Sequence, residues 1–184
     1  MKKPLLAAAA ALALAGTASA QNYVSVSAGS SDHDLGCGGA TVCDESGTAF
    51  KVLGGFRIAP NFALEGGYMS YGKSKARDSG LGISLDTTVD GFGIGGAFLH
   101  DLTPQWNFVA RLGLAQMKAK AKATLGGSSG SDSDNSAQLY AGLGVGYRLS
   151  KQMSLDAAWD TSRAKIAGEK LDVSAFSLGL TFSF

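Results

Sequence analysis

The last ten residues, Ala175-Phe176-Ser177-Leu178-Gly179-Leu180-Thr181-Phe182-Ser183-Phe184, alternate strictly. Phe176, Leu178, Leu180, Phe182 and Phe184 share one face, while Ala175, Ser177, Gly179, Thr181 and Ser183 share the other. A period of two is the signature of a β-strand. The contrast between the two faces decides the fold. A water-soluble sheet buries its apolar face against another layer, and small polar partners on the opposite face make a poor core. In lipid the assignment inverts: the apolar face meets hydrocarbon and the small, polar face turns to an enclosed lumen.

The same alternation runs back through the chain. Ala137, Leu139, Ala141, Leu143, Val145, Tyr147 and Leu149 oppose Gln138, Tyr140, Gly142, Gly144, Gly146 and Arg148. Trp106, Phe108, Ala110, Leu112 and Leu114 oppose Asn107, Val109, Arg111 and Gly113. Met153, Leu155, Ala157 and Trp159 continue the pattern. Eight segments fit the template: 22–30, 47–58, 62–73, 86–100, 105–121, 136–149, 153–164 and 171–184. Several exceed the about 9–11 residues that a tilted strand needs to cross a bilayer. Three connections are tight (59–61, 101–104 and 150–152), and four are long and polar (31–46, 74–85, 122–135 and 165–170). Ile58-Ala59-Pro60-Asn61-Phe62, Leu102-Thr103-Pro104-Gln105-Trp106 and Leu149-Ser150-Lys151-Gln152-Met153 form a repeated turn. Such a period also suits a propeller blade, but a repeated two-strand hairpin fits the long strands better.

Composition agrees. Of 184 residues, 26 are Gly, which disfavours helices, and 45% are hydrophobic, which disfavours disorder. Residues 1–20 read as a secretory signal: Lys2 and Lys3, the apolar run Leu5–Ala15, then Ala18-Ser19-Ala20. Residues 21–184 then form one domain. The apolar run is shorter than the roughly 20 residues of a membrane helix. The near-neutral charge gives no case for nucleic-acid binding.

In lipid every backbone N–H needs a partner, so the sheet must close. The fold expected is an all-β, eight-stranded antiparallel up-and-down transmembrane β-barrel, with short turns in the periplasm and long loops outside. Leu64-Glu65-Gly66-Gly67-Tyr68, Ala110-Arg111-Leu112-Gly113-Leu114-Ala115 and the terminal Leu180-Thr181-Phe182-Ser183-Phe184 carry a further signal. With the Ala18-Ser19-Ala20 signal end, the chain resembles the eight-stranded outer-membrane β-barrel family, which includes the OmpA transmembrane domain and OmpX-like barrels. The resemblance implies a bacterial outer-membrane location and an assembly machinery that reads the terminal Phe184. It also implies roles in membrane integrity or in adhesion through the outer loops. No domain is expected after the last strand, so the peptidoglycan binding of full-length OmpA is not implied. A monomer is expected.

An eight-stranded barrel is just wide enough for side chains to fill. The lumen phase holds Lys51, Arg57, Glu65, Arg111, Arg148, Asp156 and Asp160. Hairpin register sets Glu65 opposite Gly55 and diagonal to Arg57. It sets Asp156 opposite Gly146 and diagonal to Arg148. Diagonal neighbours are about 7–8 Å apart, within reach of Arg. Gly91, Gly93, Gly95, Gly142, Gly144 and Gly146 flank Arg111 on the adjacent strands and are read as room for its side chain. Two readings stay open: a structural plug of ion pairs, or a narrow gated conduction path.

Cys37 and Cys43, the only cysteines, lie in the first long loop of an exported chain, where a disulfide is expected. A metal site with Asp32, His33 and Asp34 is the weaker alternative. Lys118, Lys120 and Lys122 continue the lipid-facing phase beyond the hydrocarbon, as do Arg163 and Lys165. These five suit lipopolysaccharide phosphates; a merely solvated rim is the competing reading. Ser131-Asp132-Ser133-Asp134-Asn135 lacks the Gly and terminal Glu of an EF-hand and reads as solvated loop. His33 is placed in a loop, and His100 and Asp101 point to opposite strand faces. No nucleophile motif is present, so neither an enzyme nor a cofactor is expected.

Overall fold

The computed structural model describes residues 22–33, 42–44, 46–78, 83–125, 128–166 and 169–184. The signal segment 1–20 and Cys37 lie outside the described residues. Nine strands follow in chain order: β1 (Asn22–His33), β2 (Val42–Asp44), β3 (Ser46–Ala59), β4 (Phe62–Asp78), β5 (Ile83–Asp101), β6 (Trp106–Leu125), β7 (Ser128–Arg148), β8 (Met153–Ile166) and β9 (Glu169–Ser183). Eight long strands form one antiparallel ring, β1-β3-β4-β5-β6-β7-β8-β9, closed by the pairing of β1 with β9. The closing ladder sets Val24 opposite Phe182 and His33 opposite Val173, so the first and last strands leave no edge through this span. The three-residue β2 pairs only with the outer end of β4.

Each strand obeys the alternation. Phe92, Ile94, Leu112, Leu114, Leu139, Phe176 and Leu178 are exposed on the outer surface, while Tyr23, Ala63, Glu65, Val89, Arg111, Met117, Tyr140 and Asp160 turn inward. An exposed apolar belt that would be a liability in water is the surface lipid requires. Aromatic pairs cross neighbouring strands near both margins of the belt. Phe62–Phe98 and Trp106–Tyr147 lie toward the tight turns, with ring centroids 5.3 and 5.1 Å apart. Tyr68–Phe92 lies on the far side at 5.1 Å.

The tight turns fall where the sequence places them. Thr103 Oγ1 accepts from Trp106 N at 3.0 Å, and Ser150 Oγ accepts from Met153 N at 3.1 Å. Two of the three repeated turns thus share a hydroxyl cap, while the first has Ala59 at that position.

The far ends differ from expectation. Most of the residues read as loops at 74–85, 122–135 and 165–170 continue the ladder as strand. Lys118 through Ala123 keep the period of two, but Lys replaces Leu on the outer face and Ala lines the inner one. Beyond the hydrocarbon an outward position no longer needs to be apolar, so the alternation persists while its hydrophobic contrast fades. Ser131–Asn135 is likewise strand, not loop. In β4 the register shifts between Ser70 and Gly72, and Gly72 has φ of 72°, which glycine tolerates. The bulge turns Tyr71 inward and moves Lys73 and Lys75 to the exposed face.

Candidate functional site

Two buried triads sit in the middle of the lumen. Glu65 accepts from Tyr23 Oη at 2.5 Å through Oε1, and from Arg111 Nε at 2.8 Å through Oε2. Asp160 accepts from Tyr140 Oη at 2.7 Å through Oδ1, and from Lys51 Nζ through Oδ2. Each carboxylate therefore spends one oxygen on a phenol and the other on a cation. The four charged side chains are 4–9% exposed. Charges taken this far from water persist only when paired and hydrogen-bonded.

The ion pairs differ from those that hairpin register suggests. Glu65 does lie opposite Gly55, and Asp156 opposite Gly146. Yet Glu65 bonds Arg111 instead of Arg57, and Arg148 bonds Asp101 instead of Asp156. Arg57 and Asp156 have no ion-pair partner among the described residues. The cause is depth. Arg57 and Asp156 line an open mouth at the tight-turn end, where water solvates them, whereas Arg111, at the inner wall of that mouth, is only 9% exposed and takes the buried Glu65 carboxylate. Arg148 bends outward to Asp101 and donates to the Pro104 carbonyl at 3.1 Å. Asp156 accepts from Ser154 Oγ at 3.0 Å.

Glycine makes the room, but mostly for other tenants than Arg111. A Cβ on Gly55 would fall within the Tyr23 ring, and one on Gly142 would meet the Asp160 carboxylate. Gly91 and Gly93 accommodate Met117 and Met69, at 2.8 and 3.0 Å from such a Cβ. The two tyrosines are absent from the charge pattern read from sequence. Their signal was present, since Tyr23 and Tyr140 are aromatic residues in the small, polar phase.

Beyond the triads, toward the far end, an apolar cluster fills the interior alongside the buried polar side chains of Ser31, His33, Ser74 and Thr87. Met69, Tyr71, Val89, Met117, Leu171 and Val173 pack together, with Met117 and Val89 fully buried. His33 is the last residue of β1 and is buried, correcting its placement in a loop. Its Nε2 lies 2.8 Å from the Tyr71 carbonyl oxygen, which Ser31 Oγ also engages. The β4 bulge frees that carbonyl from the ladder.

The outer charges form a collar just past the upper aromatic pair. Phe92 lies opposite Gln116, and the next outward positions are Asp90 opposite Lys118, Thr88 opposite Lys120 and Asp86 opposite Lys122. Lys120 and Lys122 are exposed. Arg163 is held by Asp172 at 2.8 Å, and Lys165 lies opposite Lys170. Cys43 lies in β2. Among the described residues no group of His, Cys, Asp and Glu has the arrangement of a metal site.

The profile of the family described as outer membrane protein beta-barrel domain matches residues 4–184. No curated protein sequence matches. Among solved structures, neisserial surface protein A superposes with a TM-score of 0.62 at 18% identity, over 89% of this chain and 97% of that one. The attachment invasion locus protein Ail of Yersinia pestis, in complex with the heparin analogue sucrose octasulfate, gives 0.59 at 19% identity, over 89% and 99%. The N-terminal β-barrel domain of Pseudomonas aeruginosa OprF gives 0.54 at 14%, over 89% and 98%. At these identities the likeness shows the fold. Together with the closed ring, the lipid-facing belt and the full-length family match, it establishes that this chain belongs to the outer membrane protein β-barrel family and is a protein of the bacterial outer membrane.

Proposed function

We propose that the protein is a structural and surface component of the outer membrane whose lumen is a plug and not a path. The observation that carries this reading is the filled cross-section: two complete triads, and beyond them the packed Met117, Val89 and Val173. An ion crossing the barrel would have to break buried charge pairs and then traverse an apolar layer, and both steps are costly. Single-channel recording in planar bilayers tests it. Neither the wild type nor Arg111→Ala should give discrete conductance, and stepwise openings in the wild type would overturn the plug.

The collar completes the proposal. Lys118, Lys120, Lys122, Arg163 and Lys165 continue the outward phase past the apolar belt, and lysine and arginine there suit lipopolysaccharide phosphates. Neutralising all five should weaken lipopolysaccharide retention during purification; unchanged retention would favour a solvated rim. Assembly through the terminal Phe184 belongs to the same reading. Phe184 N donates to the Asn22 carbonyl at 3.0 Å at the barrel seam, and deleting Phe184 should slow insertion in cells more than refolding in detergent.

Adhesion is the second reading, favoured by the outer end of the β6–β7 hairpin. β7 pairs with β6 out to Ser128 but with β8 only as far as Tyr140, so the hairpin stands beyond its neighbour. Ail, an attachment protein by name, has the same fold. Trimming this hairpin should abolish attachment to a host surface or matrix while leaving heat-dependent gel mobility intact. Attachment that survives the trimming would remove the hairpin from the reading.

A further inference from the structure

At the tight-turn end, which faces the periplasm, the lumen opens into a cavity of about 60 Å³. Four cationic side chains line it, Arg57, Arg111, Arg148 and Lys151, against a single carboxylate, Asp156. The cations are not equally engaged. Arg148 is held by Asp101 and Pro104, and Arg111 uses its Nε on Glu65. The terminal nitrogens of Arg111 have no hydrogen-bond partner among the described residues, although its side chain is only 9% exposed. Arg57 forms neither a hydrogen bond nor an ion pair among the described residues. Asp156 accepts from the Ser154 hydroxyl and has no ion-pair partner among the described residues.

A mouth with low-dielectric walls and an excess of one charge focuses the field and concentrates the opposite ion. Guanidinium groups present forked donors that match tetrahedral oxyanions. Hydroxyl-bearing Ser150 and Thr181 share the wall and supply further donors. We propose that this periplasmic mouth is a binding site for a phosphate-class oxyanion, with Arg57 and Arg111 as its principal donors and Arg148 and Lys151 supplying field. The same chemistry is offered by free phosphate and by the phosphodiester of a periplasmic-leaflet phospholipid headgroup.

The test uses the full barrel refolded in a maltoside detergent, which carries no phosphate. Inorganic phosphate is titrated at constant ionic strength made up with chloride, and the arginine side-chain Nε–Hε resonances are followed by NMR. The Arg57 and Arg111 resonances should shift saturably, with affinity reduced roughly tenfold or more in Arg57→Gln and unchanged in Lys73→Gln, a position exposed at the opposite end. Glycerophosphoglycerol in a parallel titration separates the sources: binding as tight as phosphate assigns the lipid headgroup, and much weaker binding assigns free phosphate. Unheated gel mobility confirms that Arg57→Gln is folded, and if it is not, the wild-type resonances decide. Shifts that stay linear in phosphate, or an affinity unaltered in folded Arg57→Gln, would overturn the site.

Discussion

Arg111 Nε donates to Glu65 Oε2 at 2.8 Å across a strand that belongs to neither residue. Glu65 is on β4 and Arg111 on β6, 46 residues apart, with β5 between them. At the level of Glu65, β5 presents Gly95, which in turn faces Gly113. The pair spans a glycine-lined stretch of wall, so a cross-strand diagonal within one hairpin is not the shortest route between charges in a narrow barrel.

Glu65→Gln should therefore be severe. It removes one charge and leaves Arg111 buried without compensation, which costs about 3–5 kcal/mol in buried pairs. Arg163→Gln breaks the Arg163–Asp172 pair, whose side chains are about 60% exposed, and should cost less than about 1 kcal/mol. Urea unfolding in micelles compares them, and equal losses would contradict the burial argument.

The strand glycines should sort by what a Cβ would meet. Gly55→Ala drives a methyl group into the Tyr23 ring and should destabilise by about 1–3 kcal/mol. Gly130→Ala has nothing within 4 Å and should stay within about 0.5 kcal/mol of wild type. Refolding yield and the temperature of the gel-mobility shift report the difference.

Met117→Ala removes a fully buried side chain from the apolar layer above the triads. A loss of about 2–5 kcal/mol is expected for such a cavity. If the triads below suffice to seal the lumen, planar-bilayer recordings should stay silent in this variant as well. Openings confined to Met117→Ala would assign the seal to the apolar layer.

A Cys37–Cys43 disulfide, expected from the sequence of an exported chain, predicts an intact mass lower by two hydrogens without reductant than with it. Closing so short a loop should contribute roughly 2 kcal/mol in the chain-entropy model. An unchanged mass on reduction would show two free thiols.

Much of this molecule was legible in the chain itself. Alternation from Ala175 to Phe184 requires one face for lipid and one for the lumen, and once backbone hydrogen bonds must all be satisfied in lipid, closure follows. Register in the strands also followed from the repeated turns: Gly55–Glu65 and Gly146–Asp156 pair as the hairpins dictate, although the first turn carries a register shift that sets Ala59, not Ile58, opposite Phe62. The periodicity signal failed where hydrocarbon ended. Lys118–Lys122 sits in a regular ladder, but with water on the outer face nothing forces apolar contrast there.

Partners inside the lumen were decided only by tertiary structure. Sequence places Arg57, Glu65, Arg111 and Asp160 in one phase, but phase says nothing about which side chains meet across a closed wall. That depends on stagger and on depth: the mouth reaches Arg57 and Arg111, while Lys51 lies away from it, buried against Asp160. The β4 bulge, which brings the Tyr71 carbonyl to Ser31 and His33 and turns Lys73 outward, belongs to the same class. Local alternation determined the barrel, while the unequal cost of leaving each charge unpaired determined how its interior is wired.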